Sequence, residues 1–297
     1  MQNNYQTKRL ILNELSLNDE VFITELLNTP EWIKFIGDRN IRTQEDARGY
    51  IQKIMDNPNI NYWVVKLQDE KTSIGIITFI KRDYLEQYDI GFAFLSEFAN
   101  KGYAHEATMA VLNDVINNPS HTHILATTVK ENTNSIKLLE KLGLRFEKEI
   151  EHGNNLLLIY SVTVDTLFLN EITNSFYSLF TNAKRQIPVL EKIYDICLPE
   201  TIIIKKSNET EEIFNIDTFI EPRKKILSDG TLTEFEEYQI FEDTRVVANM
   251  AQRFSKYQKK GYFKGDYFEV NGNKLFQYIK TNKGWKIASV IWEDENM

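Results

Sequence analysis

A short glycine-containing turn between a strand-like and a helix-like segment offers the clearest chemistry in the sequence. Residues 99–106 read Ala-Asn-Lys-Gly-Tyr-Ala-His-Glu, and the small residues Gly102 and Ala104 leave the main chain accessible. Free amides at a helix N-terminus, together with the positive end of the helix dipole, bind phosphate without a cationic side chain. The turn is therefore a candidate pyrophosphate site, with an ordinary strand-to-helix turn as the structural alternative.

Two pairs of strand and helix must position this turn. The first pair is a strand over Tyr88–Phe94 and a helix over Ala104–Ile116, in which apolar residues recur at helical spacing. The second pair is a buried strand over His123–Val129 and a short helix that ends at a glycine. An asparagine, Asn132 or Asn134, is expected to cap the start of that second helix.

These segments resemble the GNAT superfamily of N-acetyltransferases, and most closely its ribosomal-protein alanine N-acetyltransferase-like branch. The matching motifs are Lys-Gly-Tyr-Ala at residues 101–104 and Asn-x-x-Ser-x-x-x-Leu-Glu-Lys-Leu-Gly at residues 132–143. The opening Thr7-Lys8-Arg9-Leu10 is similar to the first strand of that branch. The resemblance covers residues 5–165 and implies an α+β chain whose GNAT domain, residues 1–165, has a mixed, mostly antiparallel splayed sheet flanked by helices.

The resemblance also implies acetyl-CoA as co-substrate and no metal. The turn amides would hold the pyrophosphate, and the main chain of the preceding strand would orient the pantetheine arm and the thioester. The residues expected to contact the cofactor are Phe92, Phe94, Ala99, Asn100, Lys101, Gly102, Tyr103, Ala104, Asn132 and Ser135. Ala99 stands where the family prefers Gln or Arg, so we expect weakened cofactor affinity.

Two catalytic candidates follow from the same resemblance. Ser135 would donate a proton to the departing thiolate, and the alternative is a serine that caps its helix. Asp89 occupies the acidic position before Ile-Gly on the first strand and is the candidate base. An unperturbed carboxylate is a poor base for an ammonium group, so Asp89 needs either burial that raises its pKa or a water that relays the proton.

The second half of the chain, residues 166–297, has a different pattern. Helices are predicted over Asp165–Phe180 and Pro188–Leu198, the latter ended by Pro199. Strands are predicted over Thr201–Ile204, Leu232–Ile240, Thr244–Tyr257, Lys264–Val270, Lys274–Thr281 and Lys286–Trp292. Asn271-Gly272 is expected to form a hairpin turn. The closing Gly284-Trp285-Lys286-Ile287 and Trp292 resemble the nuclear transport factor 2-like (SnoaL-like) fold, which implies a cone-shaped α+β domain.

The function of the second domain stays open between ligand binding and dimerisation. All four histidines lie in residues 1–165, so catalysis by histidine is excluded in the second domain. The strands carry more aromatic residues than one small core absorbs, which indicates a pocket or a partner surface. We favour the partner surface, and hence a homodimer through the second domain.

Composition bounds the remaining choices. A net charge of −8 argues against nucleic-acid binding, and no apolar run is long enough to span a membrane. With Cys197 as the sole cysteine, no intramolecular disulfide forms, so a cytoplasmic setting is expected. The sequence predicts an acetyl-CoA-dependent N-acetyltransferase acting on a primary amine of a small molecule or a protein N-terminus; the alternative is a non-catalytic acyl-CoA-binding sensor.

Overall fold

A computed structural model describes residues 2–153 and 155–295, which separate into two units, Met1–Leu167 and Phe168–Met297. The first unit alternates strands and helices. Its elements are β1 (Asn4–Gln6), β2 (Leu10–Glu14), α1 (Glu20–Leu27), α2 (Pro30–Phe35), α3 (Gln44–Met55), β3 (Ile60–Leu67), β4 (Ser73–Ile80), β5 (Asp89–Phe94), α4 (Tyr103–Val115), β6 (His123–Thr128), α5 (Thr133–Lys141), β7 (Arg145–His152) and β8 (Asn155–Thr163).

Among the described residues, the strands of the first unit form one eight-stranded sheet in the order β1-β2-β3-β4-β5-β6-β8-β7. All neighbouring strands are antiparallel except β5 and β6, which are parallel. That parallel pair has a single register pair, Asp89 with Leu125. The strands therefore diverge beyond Asp89, which is the splay that the sequence resemblance predicts.

The helices of the first unit bury their apolar faces. The predicted apolar face of α4 is buried, with Ala107, Val111 and Val115 fully inaccessible to solvent. Helix α3 is capped by Thr43, whose hydroxyl accepts a hydrogen bond from the Asp46 amide while the Asp46 carboxylate accepts one from the Thr43 amide. Such reciprocal caps satisfy amides that the first turn of a helix leaves free.

The second unit is a long, mostly antiparallel sheet with two principal helices. Its elements are α6 (Val164–Ser178), α7 (Ile193–Ile196), β9 (Cys197–Ser207), β10 (Thr210–Phe214), α8 (Ile216–Ser228), β11 (Leu232–Val247), β12 (Met250–Phe263), β13 (Asp266–Thr281) and β14 (Gly284–Asp294). The strand order over its described residues is β10-β9-β14-β13-β12-β11, with β14 and β9 parallel. Its core is aromatic and includes Phe176, Tyr257 and Phe276.

The predicted turn at Asn271-Gly272 is wrong, because β13 continues through it. Gly272 lies opposite Tyr257 of β12, and a Cβ on Gly272 would lie 2.4 Å from the Tyr257 hydroxyl oxygen. Glycine is required here by the close approach of a ring and not by a change of chain direction. The strands reverse instead at residues 248–249 and 264–265, so the predicted strand Thr244–Tyr257 in fact spans a turn.

The predicted helix over Pro188–Leu198 is also mostly wrong. Only a 3-10 turn and the single-turn α7 form, and β9 begins at Cys197. Pro199 is tolerated in β9 because the register with β14 shifts between Cys197 and Ile202, where the ladder does not require its missing N–H. Sequence reasoning missed α8 altogether, although Asn215 caps it by accepting a hydrogen bond from the Thr218 amide.

Candidate active site

The turn before α4 has the backbone conformation of an anion site. Asn100 and Gly102 have φ angles of +59° and +79°, and Gly102 is the N-cap residue of α4. The first amide that donates within the helix is that of Glu106, to the Gly102 carbonyl over 3.1 Å. Among the described residues, the amides of residues 103–105 have no hydrogen-bond acceptor, so they are free for an anion.

The carboxylate of Glu106, in the first turn of α4, stabilises this turn through contacts with the β1–β2 loop. Glu106 accepts hydrogen bonds from the Thr7 hydroxyl at 2.6 Å and from the Arg9 amide at 2.9 Å, and it forms an ion pair with the Arg9 guanidinium at 2.6 Å. Arg9 also donates to the Lys101 carbonyl at 2.9 Å and lies 4.5 Å from the centre of the Tyr103 ring. The β1–β2 loop thereby holds the turn in place and keeps the Glu106 charge away from the free amides.

The charge on Glu106 is secured by these contacts. Burial alone would raise the pKa of Glu106, but the hydrogen bonds from Thr7 and Arg9 and the positive charge of Arg9 lower it below the usual glutamate value. Sequence reasoning missed these contacts, because they are made across about a hundred residues of chain. The signal that could have found it is the shared Thr-x-Arg motif at residues 7–9.

The main chain of β5 faces the gap between the splayed strands. The Leu125 amide donates to the Tyr88 carbonyl on the β6 side, whereas the Leu95 amide donates to Ile74 beside β4 on the other side. Main-chain groups alternate in direction along a strand. The amides and carbonyls of Phe92 and Phe94 therefore face the same side as those of Tyr88, where β6 has diverged from β5.

Two cavities meet at this gap. One of about 460 Å³ includes the whole of the turn except Lys101, together with Asn132, Asn134 and Ser135 at the start of α5. The other, of about 450 Å³, is lined by β4, β5 and β6 and by α2 and α3. Both are lined by Trp32, Phe35, Ile36, Phe92, Ala93, Asn132 and Ser135. The candidate phosphate turn and the second cavity are thus connected through Phe92, Asn132 and Ser135, which line both cavities.

Asn132 and Ser135 have different roles at the start of α5. Asn132 is the N-cap, and its side-chain oxygen accepts a hydrogen bond from the Ser135 amide at 3.1 Å. The alternative in which Ser135 caps the helix is therefore wrong, as is Asn134 as the cap. The half-buried Ser135 side chain lines both cavities, and its hydroxyl has no hydrogen-bond partner within residues 2–153 and 155–295. It is free to donate to a ligand atom.

Asp89 lies where the pairing of β5 and β6 stops. Its side chain is 2% exposed and forms an ion pair with Arg82, and it accepts a hydrogen bond from the Thr127 amide at 3.1 Å. In a regular parallel ladder that amide would pair with the main chain of β5. Where β5 and β6 begin to diverge, the hydrogen bond from the Thr127 amide to the Asp89 side chain therefore takes the place of a main-chain hydrogen bond between the strands.

The environment of Asp89 has opposing effects on its protonation. Burial raises the pKa of Asp89 above the ordinary aspartate value, and the charge of Arg82 and the hydrogen bonds from Arg82 and Thr127 oppose this. Removing one partner from a buried ion pair costs about 3–5 kcal/mol of stability. The Asp89 carboxylate is thus a structural tie between the strands, as well as the acidic group of the second cavity.

The second cavity contains several aromatic and basic groups that the sequence did not indicate. Tyr84 stacks on His152 with ring centres 3.9 Å apart, and both line the cavity with Tyr50 and the exposed Arg39. Trp32 is buried, and its indole nitrogen has no hydrogen-bond partner among the described residues.

The part of the chain that the structure describes contains no cluster of His, Cys, Asp and Glu that could hold a metal ion. In that same part, no helix is long and apolar enough to cross a membrane.

Comparison with known proteins identifies the class of protein to which this chain belongs. Residues 9–145 match the acetyltransferase (GNAT) domain family. The uncharacterized N-acetyltransferase YnaD of Bacillus subtilis is 34% identical over 152 residues, which are 50% of this chain and 88% of that protein. The uncharacterized N-acetyltransferase p20 of Bacillus licheniformis is 28% identical over 147 residues, covering 48% and 82%. A GNAT acetyltransferase structure from Bacillus anthracis is 29% identical with a TM-score of 0.47 and covers 55% of this chain and 99% of that one.

The chain belongs to the GNAT acetyltransferase family, and it is an acetyltransferase. Enzymes of this family use acetyl-CoA. The residues present fit that co-substrate, because free amides follow a glycine with a positive φ and open onto a gap edged by unpaired strand backbone.

Proposed function

We propose that the first unit transfers an acetyl group from acetyl-CoA to a primary amine of a small molecule or of a protein N-terminus. The observation that carries the proposal is the continuity between the phosphate-binding turn, the gap between β5 and β6, and the second cavity. Acetyl-CoA supplies the acetyl group as an activated thioester. A non-catalytic acyl-CoA sensor would need the first cavity but not the second.

The chain's own residues have distinct roles in this proposal. The main chain of Ala99–Ala104 holds the pyrophosphate, and Lys101 adds a positive charge near it. The main chain of Phe92 and Phe94 positions the pantetheine arm in the gap, aided by the side-chain nitrogen of Asn132. Holding the reacting groups in this geometry removes much of the entropic cost of a bimolecular step.

Ser135 and Asp89 act on protons in this proposal. The Ser135 hydroxyl faces the junction of the two cavities and donates a proton to the departing sulfur. Asp89 is held by Arg82 and Thr127, so it accepts a proton from the amine through water and not by direct contact. Its structural role is to tie β6 to β5 at the point where the two strands begin to diverge.

The charge of the second cavity indicates which amines it accepts. Its lining carries Arg39 and Arg82, and its one carboxylate, Asp89, is already paired with Arg82. Within the described residues it therefore offers no free carboxylate to bind the additional ammonium groups of a polyamine. Aromatic walls from Trp32 and Tyr84 favour an amine attached to a neutral or aromatic body.

Release of free thiol from acetyl-CoA tests both the activity and this preference. We expect kcat/KM for tyramine or a peptide with an N-terminal alanine to exceed that for spermidine by about tenfold or more, the scale of one missing ion pair. Spermidine or an aminoglycoside as the best acceptor would contradict the preference. Binding of acetyl-CoA without thiol release for any of these amines would favour the sensor alternative.

For the second unit we propose an NTF2-like accessory domain that forms a homodimer through its sheet, in a chain of cytoplasmic location. One face of the sheet carries an apolar row across β12, β13 and β14, in which Phe254 lies opposite Leu275 and Leu275 opposite Ile291. Leu275 and Ile291 are 49% and 39% exposed. The proposed cytoplasmic location rests on the single cysteine, Cys197, which leaves the chain without an intramolecular disulfide.

Light scattering of the full-length chain at micromolar concentration is expected to give the mass of a dimer. A charge placed in the middle of the apolar row, Leu275→Glu, should give a monomer, because a buried carboxylate without a partner opposes association. The matched change Lys225→Glu, at an exposed position of α8 and outside the sheet, should leave the dimer intact. A monomeric wild-type chain would contradict the proposal.

A further inference from the structure

The second unit contains a cavity of about 750 Å³ between its helices and the inner face of its sheet. This volume lies within the range of about 300–1,000 Å³ typical of small-molecule sites. Its walls are aromatic: Phe176, Phe180, Phe219, Phe235, Phe268 and Trp292. Flat rings on several sides favour a ligand with a flat ring system, since offset and edge-to-face contacts between rings add to simple burial.

Charged groups also line this cavity: the exposed Asp266 and Glu295, the partly buried Lys205 and Lys206, which pair with Glu212 and Glu211, and two further ion pairs. Lys274, with only 5% of its side chain exposed, pairs with Glu237 at 2.7 Å, and its ammonium lies 4.2 Å from the centre of the Tyr257 ring. Lys259 pairs with Asp294 at 2.6 Å. Each charge in these pairs is thus compensated within the chain. The pairs offer donors and acceptors to a ligand but no net charge.

Arg223 differs from these paired groups because its charge is not compensated. Its guanidinium lies 3.7 Å from the centre of the Phe219 ring and donates one hydrogen bond, 2.6 Å long, to the Phe219 carbonyl of its own helix. No carboxylate among the described residues forms an ion pair with it. The acidic groups that influence it, Glu237 and Glu212, are paired with lysines.

The Arg223 guanidinium stays positively charged at neutral pH. Burial lowers its pKa to about 10, with Glu237 and Glu212 opposing the shift. A guanidinium has five N–H donors in a planar fork that matches the two oxygens of a carboxylate. Arg223 lines the cavity and retains most of these donors, and a partly desolvated charge is stabilised when an anion pairs with it.

We propose that the cavity of the second unit binds an aromatic carboxylic acid, with the carboxylate paired to Arg223 and the ring system packed against the aromatic walls. The Lys274–Glu237 and Lys259–Asp294 pairs then provide hydrogen bonds to any further polar group on the ligand. This binding concerns the second unit alone and is independent of acetyl transfer in the first.

Calorimetric titration of the full-length protein tests the proposal with three probes. We expect naphthoate to bind at least about tenfold more tightly than its neutral analogue naphthylmethanol, because only the acid pairs with Arg223. Decanoate, which carries the same charge on a flexible chain, should bind more weakly than naphthoate. This comparison uses the wild-type chain and so does not depend on any variant folding.

A variant series then locates the carboxylate. Arg223→Gln should weaken naphthoate binding about ten- to hundredfold, the scale of a charge-assisted hydrogen-bonded pair, and Arg223→Lys should fall between. Lys225→Gln removes the same charge from an exposed position of α8 and should leave the affinity for naphthoate unchanged. Equal binding of acid and alcohol, equal effects of Arg223→Gln and Lys225→Gln, or tighter binding of decanoate would overturn the proposal.

Discussion

Replacing Gly102 by glutamate is expected to abolish acetyl-CoA binding, with Kd raised about a hundredfold or more. Two effects act together. Gly102 has a φ angle of +79°, and a side chain there costs about 1–2 kcal/mol of backbone strain. The new carboxylate would also lie beside the amides that we propose hold the pyrophosphate, and it would repel that group. Calorimetry with the full-length chain measures the change.

Two further substitutions separate the causes. Gly102→Ala keeps the strain without the charge, and the only atom near its Cβ is an Arg9 nitrogen at 3.4 Å, an ordinary contact. We expect it to weaken binding by up to about tenfold, because the strain lowers the fraction of free protein whose turn has the positive-φ conformation that binds. Gly284→Glu makes the same change at another glycine of positive φ with open space around it, and it should leave affinity unchanged. If Gly102→Glu binds acetyl-CoA as tightly as the wild-type chain, the turn is not the pyrophosphate site.

Replacing Ser135 by alanine is expected to lower kcat by about ten- to hundredfold with little change in the KM for acetyl-CoA. The reason is that a proton donor to the leaving sulfur acts in the transition state and contributes little to ground-state binding. Helix stability should not suffer, because Asn132 caps α5 and needs only the Ser135 amide. Steady-state kinetics with a saturating amine give the split between kcat and KM.

Thr133 offers the matched control for Ser135. It is the exposed first residue of the same helix and lines neither cavity. Thr133→Ala therefore removes a hydroxyl from the same turn without touching the junction, and it should leave kcat unchanged. If Ser135→Ala moves only the KM or the melting temperature, the serine has a structural role and the proposed proton donor must be sought elsewhere.

Local features of the first unit could be predicted well because they depend on few neighbouring residues. The apolar period of α4 identified its buried face, and the asparagine–glycine pattern around α5 identified a helix between a cap and a stop. Gly143, with a φ angle of +92°, ends that helix as expected. The bare turn at Gly102 likewise follows from residue types alone, because small residues and positive φ angles are local properties.

The same local rules failed in the second unit where packing overrode them. Asn271-Gly272 is a strong turn signal, yet β13 passes through it because the Tyr257 ring occupies the space that a side chain would need. Pro199 predicts the end of a helix, yet it lies in a strand whose register is irregular at that point. Whether a glycine makes a turn or makes room depends on the neighbouring strand, which one sequence does not reveal.

By itself the sequence determined the family, and it indicated the candidate phosphate turn and the candidates Asp89 and Ser135, because these depend on short motifs. Only the tertiary structure decided which groups act together. It placed Glu106 against Thr7 and Arg9 and so braced the turn. It placed Asp89 in a tie to β6, and it left Arg223 facing an aromatic cavity without a carboxylate partner among the described residues. The physical reason is that charge pairing and burial depend on distances between segments far apart in the chain, and folding alone sets those distances.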